Sequence, residues 1–510
     1  MSIEARSQMN RRESDIEKGL STAPPAEALA DAAPTAGSPG PPASGAKRDP
    51  VPAHLRQLSG RLAGLTLPRQ VFVLAIWPFL EQVLNFLVGY VDTALAGHMP
   101  GKAVAATNAI GVGAYIIWGM NIMQMSVGVG ATAVIARAVG GKHRRVANAA
   151  LGQAVILSLV LGPISGGLVY GFAPDIAGFM ELRGESFAMC VQYLRIVGIS
   201  AIFSSVFFVG SACLRASGDT RSPFIVLAGV NIINTVVSWA LVFGPQPIGG
   251  HGVAGIAWGT VAAWVVGAVL ILIMLARDGG QIRLRWIRLR PHWHTMKRIV
   301  RISSASLFES MGMWVGNFLV MKIVGIVSII EHAAQGAHII AVRLEAISYL
   351  PCMALGIAAS TLTGQYLGLG DPERAKRAAL LCWKYGMLVM GVMGLMFLLI
   401  PTQLVRLVTN EPVLLATAPT LLMICGPVQI FFATAIVLSN AMRGAGDTAS
   451  TMRLTYISIY IIRVPAVYLF AVVMDLGLNG VWLGLCGELL IRGLLFGGRF
   501  FQGKWQSVKV

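Results

Sequence analysis

Long apolar stretches, separated by short polar segments, occupy the sequence from about residue 69 to residue 500. Each stretch is long enough to cross a hydrocarbon layer of about 30 Å as a helix, and none alternates in polarity like a membrane β-strand. Twelve spans can be placed, at residues 69–97, 104–136, 147–172, 186–213, 222–244, 252–276, 298–327, 333–366, 376–400, 412–441, 450–474 and 478–500. The pattern predicts an all-α membrane protein with twelve transmembrane helices.

Composition and charge support this prediction and orient the spans. The chain is 55% hydrophobic and 12% charged, whereas a soluble domain carries about 25% charged residues. The net charge is +17, and lysines and arginines gather in the connections after the second, sixth and eighth spans. Because basic loops stay in the cytoplasm, both termini are expected there. No pattern of an RNA- or DNA-binding module accompanies the charge, so no nucleic-acid partner is predicted.

The chain repeats itself after 228 positions. The turn "RASGDT" at 215–220 returns as "RGAGDT" at 443–448, and the same offset places Gly140 on Gly368 and Glu81 on Glu309. Since each repeat contains an even number of spans, both halves enter the membrane with the same orientation. The sequence therefore predicts two six-helix bundles related by a pseudo-two-fold axis along the membrane normal, with a cavity between them.

The repeat and the composition also predict the domain boundaries. Residues 1–65 are rich in Ala, Pro, Gly and Ser and are predicted to be a disordered cytoplasmic N-terminal tail. The other predicted segments are an N-terminal lobe at 66–276, a basic cytoplasmic linker on anionic headgroups at 277–297, a C-terminal lobe at 298–500 and a cytoplasmic tail at 501–510.

Carboxylates inside the spans are the main functional candidates, because an ionisable group in a membrane is costly to keep. Glu81 and Asp92 lie eleven residues apart in the first span and therefore on one face, with Asn85 on the same stripe. Pro78 interrupts backbone hydrogen bonding one turn earlier and allows a kink. Glu309 is the repeat partner of Glu81, and we expect the two to face each other across the interface between the lobes. A hydrogen-bonded strut between helices is the alternative interpretation of Glu81 and Asp92.

Three further polar residues are candidates for a supporting polar lining of the site. Asn231 and Asn234 lie one turn apart in the fifth span, and Glu345 lies near the start of the eighth, where an ion pair between helices is as good an interpretation. A carboxylate in the cavity could bind a proton, a sodium ion or an organic cation, with sodium considered at Glu309 or Asp92.

No cofactor is predicted. The chain has no P-loop, no HExxH and no Gly-x-Ser-x-Gly motif, which indicates an ion-driven transporter and not an enzyme.

The twin turns are predicted to be structural joints between consecutive helices. Gly218 and Gly446 would take positive φ just past a helix end. Arg215 and Arg443 would lie beside the C-terminal carbonyl groups of that helix. The Asp-Thr pair after each glycine would cap the helix that follows.

Four short motifs together resemble the multidrug and toxic compound extrusion (MATE) family. They are "VDTALAG" at 91–97, "RLEAISYLP" at 343–351, "GQYLGLGDPERAKRAA" at 364–379 and the twin Gly-Asp-Thr turns. The resemblance implies cation-coupled efflux by alternating access of two lobes, with an ion-linked role for Asp92 and a cation site at Glu309. Phe432 and Ser238 stand where other branches of the family carry an acid, so this chain departs from the family pattern at the second carboxylate of either ion site.

We therefore expect a monomeric secondary antiporter of a bacterial inner membrane. It would export cationic or amphipathic compounds in exchange for protons or sodium ions. A lipid-linked saccharide flippase of the same broad superfamily is one alternative, although acids in the central spans disfavour it. A membrane-embedded transferase is another, and would need a reactive cluster at one membrane face.

Overall fold

The computed structural model describes residues 58–99, 102–245, 247–277, 280–285, 289, 291–331, 334–508 and 510, with the backbone alone at 86–90. Most of the predicted N-terminal tail, residues 1–57, lies outside the described residues, as does part of the predicted linker. The described residues form helices and no strands. The membrane-spanning helices are α1 (Leu67–Gly97), α2 (Ala103–Gly140), α3 (Arg144–Gly171), α4 (Gly184–Ala216), α5 (Arg221–Phe243), α6 (Gly252–Ala276), α7 (Trp293–Val327), α8 (Ala334–Gly368), α9 (Pro372–Leu399), α10 (Pro412–Gly444), α11 (Thr448–Val473) and α12 (Gly477–Phe501).

These helices confirm the predicted twelve-span, two-bundle architecture. Eleven of the helices meet the length and hydropathy needed to cross a membrane on the described residues, and α1, which carries Glu81 and Asp92, completes the set. The duplication is visible in matched helix ends, since α4 ends at Ala216 and α10 ends 228 positions later at Gly444. Short helices at Ala173–Phe179 and Pro401–Arg406 also begin at repeat-equivalent positions.

Two helices of the second bundle are irregular where their counterparts are continuous. In α10 a 3₁₀ turn at Gly426–Val428 separates two α-helical parts. In α11, π-helical stretches occupy Ile457–Arg463 and Leu469–Val473. Such stretches often accompany functional sites in helices, so the two bundles share a fold and differ in the detail of this region.

We call the side of the bundle on which α1 begins and α12 ends the terminal face. There α2 and α8 cross at Gly140 and Gly368, which are repeat partners. A Cβ atom on Gly140 would overlap the carbonyl oxygen of Gln365, and one on Gly368 would overlap that of Arg137. The two lobes are therefore in direct backbone contact at the pseudo-two-fold axis, which closes the terminal face at this crossing.

The segments that flank the helices pack on the terminal face. Leu58 and Leu62 are buried, so residues 58–65 of the predicted tail pack against the helices, whereas we predicted disorder there. At the other end, the Arg137 guanidinium donates to the carbonyl oxygen of Val508 at 2.6 Å. The buried Trp505 stacks on Phe500.

The described part of the linker between the lobes rests on α3. The backbone N–H of Arg283 donates to the side chain of Asn148 at 2.8 Å, and that of His292 donates to Gln153 at 2.9 Å. Contact with lipid headgroups remains a prediction for this segment.

Candidate functional site

The arginine of each twin turn forms an ion pair with the carboxylate that the repeat singles out. In the first lobe Arg215 at the end of α4 lies 3.1 Å from Glu81 of α1. In the second, Arg443 at the end of α10 lies 2.7 Å from Glu309 of α7. Each pair is separated by 134 residues along the chain. The twin turns thus tie the first helix of each lobe to the fourth.

One prediction about the carboxylates was therefore wrong. Glu81 and Glu309 do not face each other across the lobe interface, because each accepts hydrogen bonds from helices of its own lobe. Arg215 and Arg443 do lie in the last turns of α4 and α10, as predicted. Their guanidinium groups also pair with the buried carboxylates, which are strong partners for a guanidinium. The positive φ of Gly218 and Gly446, at 95° and 91°, confirms the predicted turn geometry.

The capping prediction is correct in the first turn only. Asp219 accepts a hydrogen bond from the backbone N–H of Ser222 at 3.2 Å, near the start of α5. In the second turn the helix start has no side-chain cap. Asp447 there pairs instead with Arg499 of α12, at 2.9 Å.

Glu309 is more completely bonded than Glu81. Its side chain accepts hydrogen bonds from Arg443 and also from Thr451 at 2.9 Å and Thr455 at 2.8 Å, and the residue is 1% exposed. The repeat positions of these threonines are Pro223 and Leu227, which offer no hydroxyl group. A cation about 4 Å from the Arg443 guanidinium would be repelled by about 4 kcal/mol at an effective dielectric constant of about 20. In this conformation Glu309 is therefore a poor site for sodium.

Asp92 has the opposite surroundings. It lies about 16 Å along α1 from Glu81, and its Oδ1 atom is buried with no hydrogen-bond partner among the described residues. A buried carboxylate oxygen without a partner is costly unless it binds a proton or a cation. The predicted stripe on α1 thus contains two different carboxylates: Glu81 is ion-paired, and Asp92 has no hydrogen-bond partner among the described residues.

The other predicted polar residues of the first lobe are dispersed. Asn234 of α5 donates to Thr260 of α6 at 3.1 Å, while its Oδ1 and the Nδ2 of Asn231 are buried without partners among the described residues. Asn85 is exposed. Pro78 lies inside α1, and Thr220 donates to the carbonyl oxygen of nearby Val73 at 3.2 Å. A kink at Pro78 remains a prediction.

The sequence did not indicate a buried ion cluster between α7, α11 and α12. Glu488 is fully buried and accepts hydrogen bonds from Arg463 and Arg492, at 2.8 and 2.6 Å, and from Ser458. Arg463 also donates to Asn317 at 2.7 Å. The available signals were Glu488, which stands at the repeat position of Thr260, and two arginines inside apolar stretches.

Comparisons with known proteins agree with this architecture. The MatE family model matches residues 79–240 and again residues 305–469, once in each half of the chain. The probable multidrug resistance protein NorM of Thermotoga maritima is 29% identical over 440 residues, which cover 86% of this chain and 93% of that protein. The multidrug resistance protein PmpM of Pseudomonas aeruginosa is 23% identical over 426 residues, covering 82% and 87%.

A solved structure gives the same fold. A structure described as the outward-facing conformation of a multidrug resistance MATE family transporter of the MOP superfamily superposes with a TM-score of 0.79. The two chains are 20% identical, and the match covers 87% of this chain and 97% of the other.

Proposed function

The chain belongs to the MatE family of multidrug and toxic compound extrusion transporters, and from that premise we propose that it exports cationic or amphipathic compounds in exchange for protons. The similar proteins of Thermotoga maritima and Pseudomonas aeruginosa are described as multidrug resistance proteins, which supports a drug as the exported substrate. Two lobes joined near a pseudo-two-fold axis are suited to alternating access. A bacterial inner membrane with both termini in the cytoplasm completes the proposal, because the basic connections lie on the terminal face.

The unpartnered carboxylate of Asp92 supports proton coupling most directly. It lies about 8 Å from the end of α1 opposite the terminal face. A proton from the outside would neutralise this oxygen, and a cationic drug would bind better to the charged form. Binding of proton and drug would then exclude each other, which is the simplest mechanism of antiport. Sodium at Asp92 is the alternative coupling ion.

We assign Glu309 a different role from the cation site that the resemblance implied. Its ion pair with Arg443 and its two threonine donors hold α7 against α10 and α11. Such a joint keeps the second lobe rigid while the lobes rotate against each other. A saccharide flippase receives no support from the buried arginines of the second lobe, because Arg443 is bonded to Glu309, and Arg463 and Arg492 are bonded to Glu488.

Drug accumulation in cells that express Asp92→Asn tests the proposal. We expect the variant to retain a fluorescent cationic dye like cells without the transporter, because the uncharged side chain can neither bind the cation nor exchange a proton. The matched control is Asp175→Asn, the same change at an exposed aspartate in a short helix. Full efflux by Asp92→Asn would contradict the coupling role. Efflux that requires sodium in the buffer would replace the proton by sodium.

A further inference from the structure

One carboxylate in the second lobe resembles Asp92 in lacking an arginine partner. Three carboxylates lie inside the spans of that lobe away from the helix ends. Glu309 pairs with Arg443, and Glu488 pairs with two arginines. Within the described residues, Glu345 of α8 forms no ion pair.

Glu345 lies inside the span of α8, about 16 Å along the helix from its first residue. Its carboxylate accepts a hydrogen bond from the thiol of Cys425 at 3.4 Å. The sulfur of Cys425 in turn accepts a hydrogen bond from the Gln429 amide at 2.9 Å. Both partners are neutral, so no hydrogen-bonded group carries a charge opposite to that of Glu345.

The surroundings of Glu345 are set by a regular contact between α8 and α10. Ser348 donates to Gln429 at 2.8 Å, and the ring of Tyr349 lies edge-on to that of Phe432, with 5.7 Å between their centroids. These contacts follow one another along both helices. Glu345 is therefore fixed at the lobe interior while its side chain remains partly exposed.

Three other charged or titratable groups lie near Glu345. Arg343 lies two residues earlier on α8 and is exposed. The Tyr349 phenol lies one turn later on α8, and the Arg463 guanidinium of α11 acts on the carboxylate at longer range. Arg463 is already bonded to Glu488 and Asn317. Neutralisation of Glu345 by a proton would therefore not break an ion pair, in contrast to neutralisation of Glu309 or Glu488.

From this geometry we propose that Glu345 is a second proton-binding carboxylate, so that each lobe contains one, Asp92 in the first and Glu345 in the second. The proposal rests on the proton coupling proposed above. Glu345 takes one proton from water on the outer side, forming one O–H bond, and returns it to water on the inner side. No other covalent bond changes. A cycle that exports one drug would then import two protons.

This stoichiometry has a consequence that can be measured. Exchange of one proton for one monovalent cation moves no net charge, whereas exchange of two protons moves one positive charge inward per cycle. A membrane potential of 100 mV then contributes about 2.3 kcal/mol, which is a factor of about 50 in the drug gradient at steady state.

The test uses the full chain in liposomes, with ethidium as the monovalent substrate and a potassium diffusion potential imposed by valinomycin. We expect the wild type to respond both to a pH gradient and to the potential. The Glu345→Gln variant should keep the response to the pH gradient and lose the response to the potential, while Glu345→Asp should keep both. Liposomes without protein correct for ethidium leakage.

Each outcome decides between the two proposals. A wild type that responds to the pH gradient but not to the potential would overturn the role of Glu345 and leave the proposed function intact. A wild type that responds to neither would overturn the proposed function itself. If Glu345→Gln transports nothing, the number of protons released when ethidium binds to the detergent-solubilised protein is measured instead. Glu345→Gln should release about one proton fewer per bound ethidium than the wild type. An equal number of released protons would contradict the inference.

Discussion

At the level of single residues, two repeat-related carboxylates are each bonded to an arginine of their own lobe, Glu81 to Arg215 and Glu309 to Arg443. Glu81, Asp92 and Glu309 stand out as acids in apolar stretches, and the repeat links two of them. Their bonding depends on side chains 134 residues away. The twin arginines were visible in the same turns, but only the packing of α1 on α4 and of α7 on α10 brings them to the carboxylates.

The two ion pairs should contribute differently to stability. Arg443→Gln would leave the nearly inaccessible Glu309 without its counter-charge, which costs about 3–5 kcal/mol. We expect Arg215→Gln to cost less, because Glu81 is more exposed. All six cysteines are buried and free, so their labelling by a thiol-reactive dye during heating reports unfolding.

The double variant Arg443→Gln/Glu309→Gln provides the control for this prediction. It removes both charges and should recover part of the lost thermal stability. Equal thermal unfolding midpoints for Arg443→Gln and Arg215→Gln would show that the two ion pairs contribute equally to stability. That result would contradict the stabilising role that we assign to Thr451 and Thr455.

At the scale of helices, the spans were predictable because length and hydropathy define them, and their ends differ from the predicted ones by a few residues. The irregular parts of α10 and α11 were not predictable. The π-helical stretch Ile457–Arg463 contains Ser458 and Arg463, both of which bond to Glu488 of α12. The π-helical conformation of α11 is thus accompanied by contacts with α12, and no local sequence pattern predicts this conformation.

The crossing of α2 and α8 gives a prediction at this scale. In Gly368→Ala the new methyl group would overlap the backbone of Arg137, so the terminal face should open. Spin labels at the exposed repeat partners Arg145 and Glu373 should then report a longer distance than in the wild type. Gly167→Ala is the matched control, since nothing lies within 4 Å of its Cβ position. An unchanged distance in Gly368→Ala would show that this crossing does not close the face.

At the scale of the whole molecule, the duplication was the most informative feature of the sequence. It predicted two bundles and their common orientation, and the family match in each half agrees with it. The differences in side-chain bonding between the lobes were not predictable from the repeat. They arise where equivalent positions carry different side chains, as at Thr451 and Pro223, or at Glu488 and Thr260.

In the proposed mechanism, export of a drug is coupled to proton import through Asp92. The most direct measurement is proton movement in liposomes that contain the purified chain, after a cationic drug is added on one side in sodium-free buffer. We predict that the wild type moves protons against the drug flow, as reported by a trapped pH-sensitive dye, and that Asp92→Asn moves none. Proton movement by Asp92→Asn at the wild-type rate, or drug transport by the wild type without any proton movement, would contradict the account.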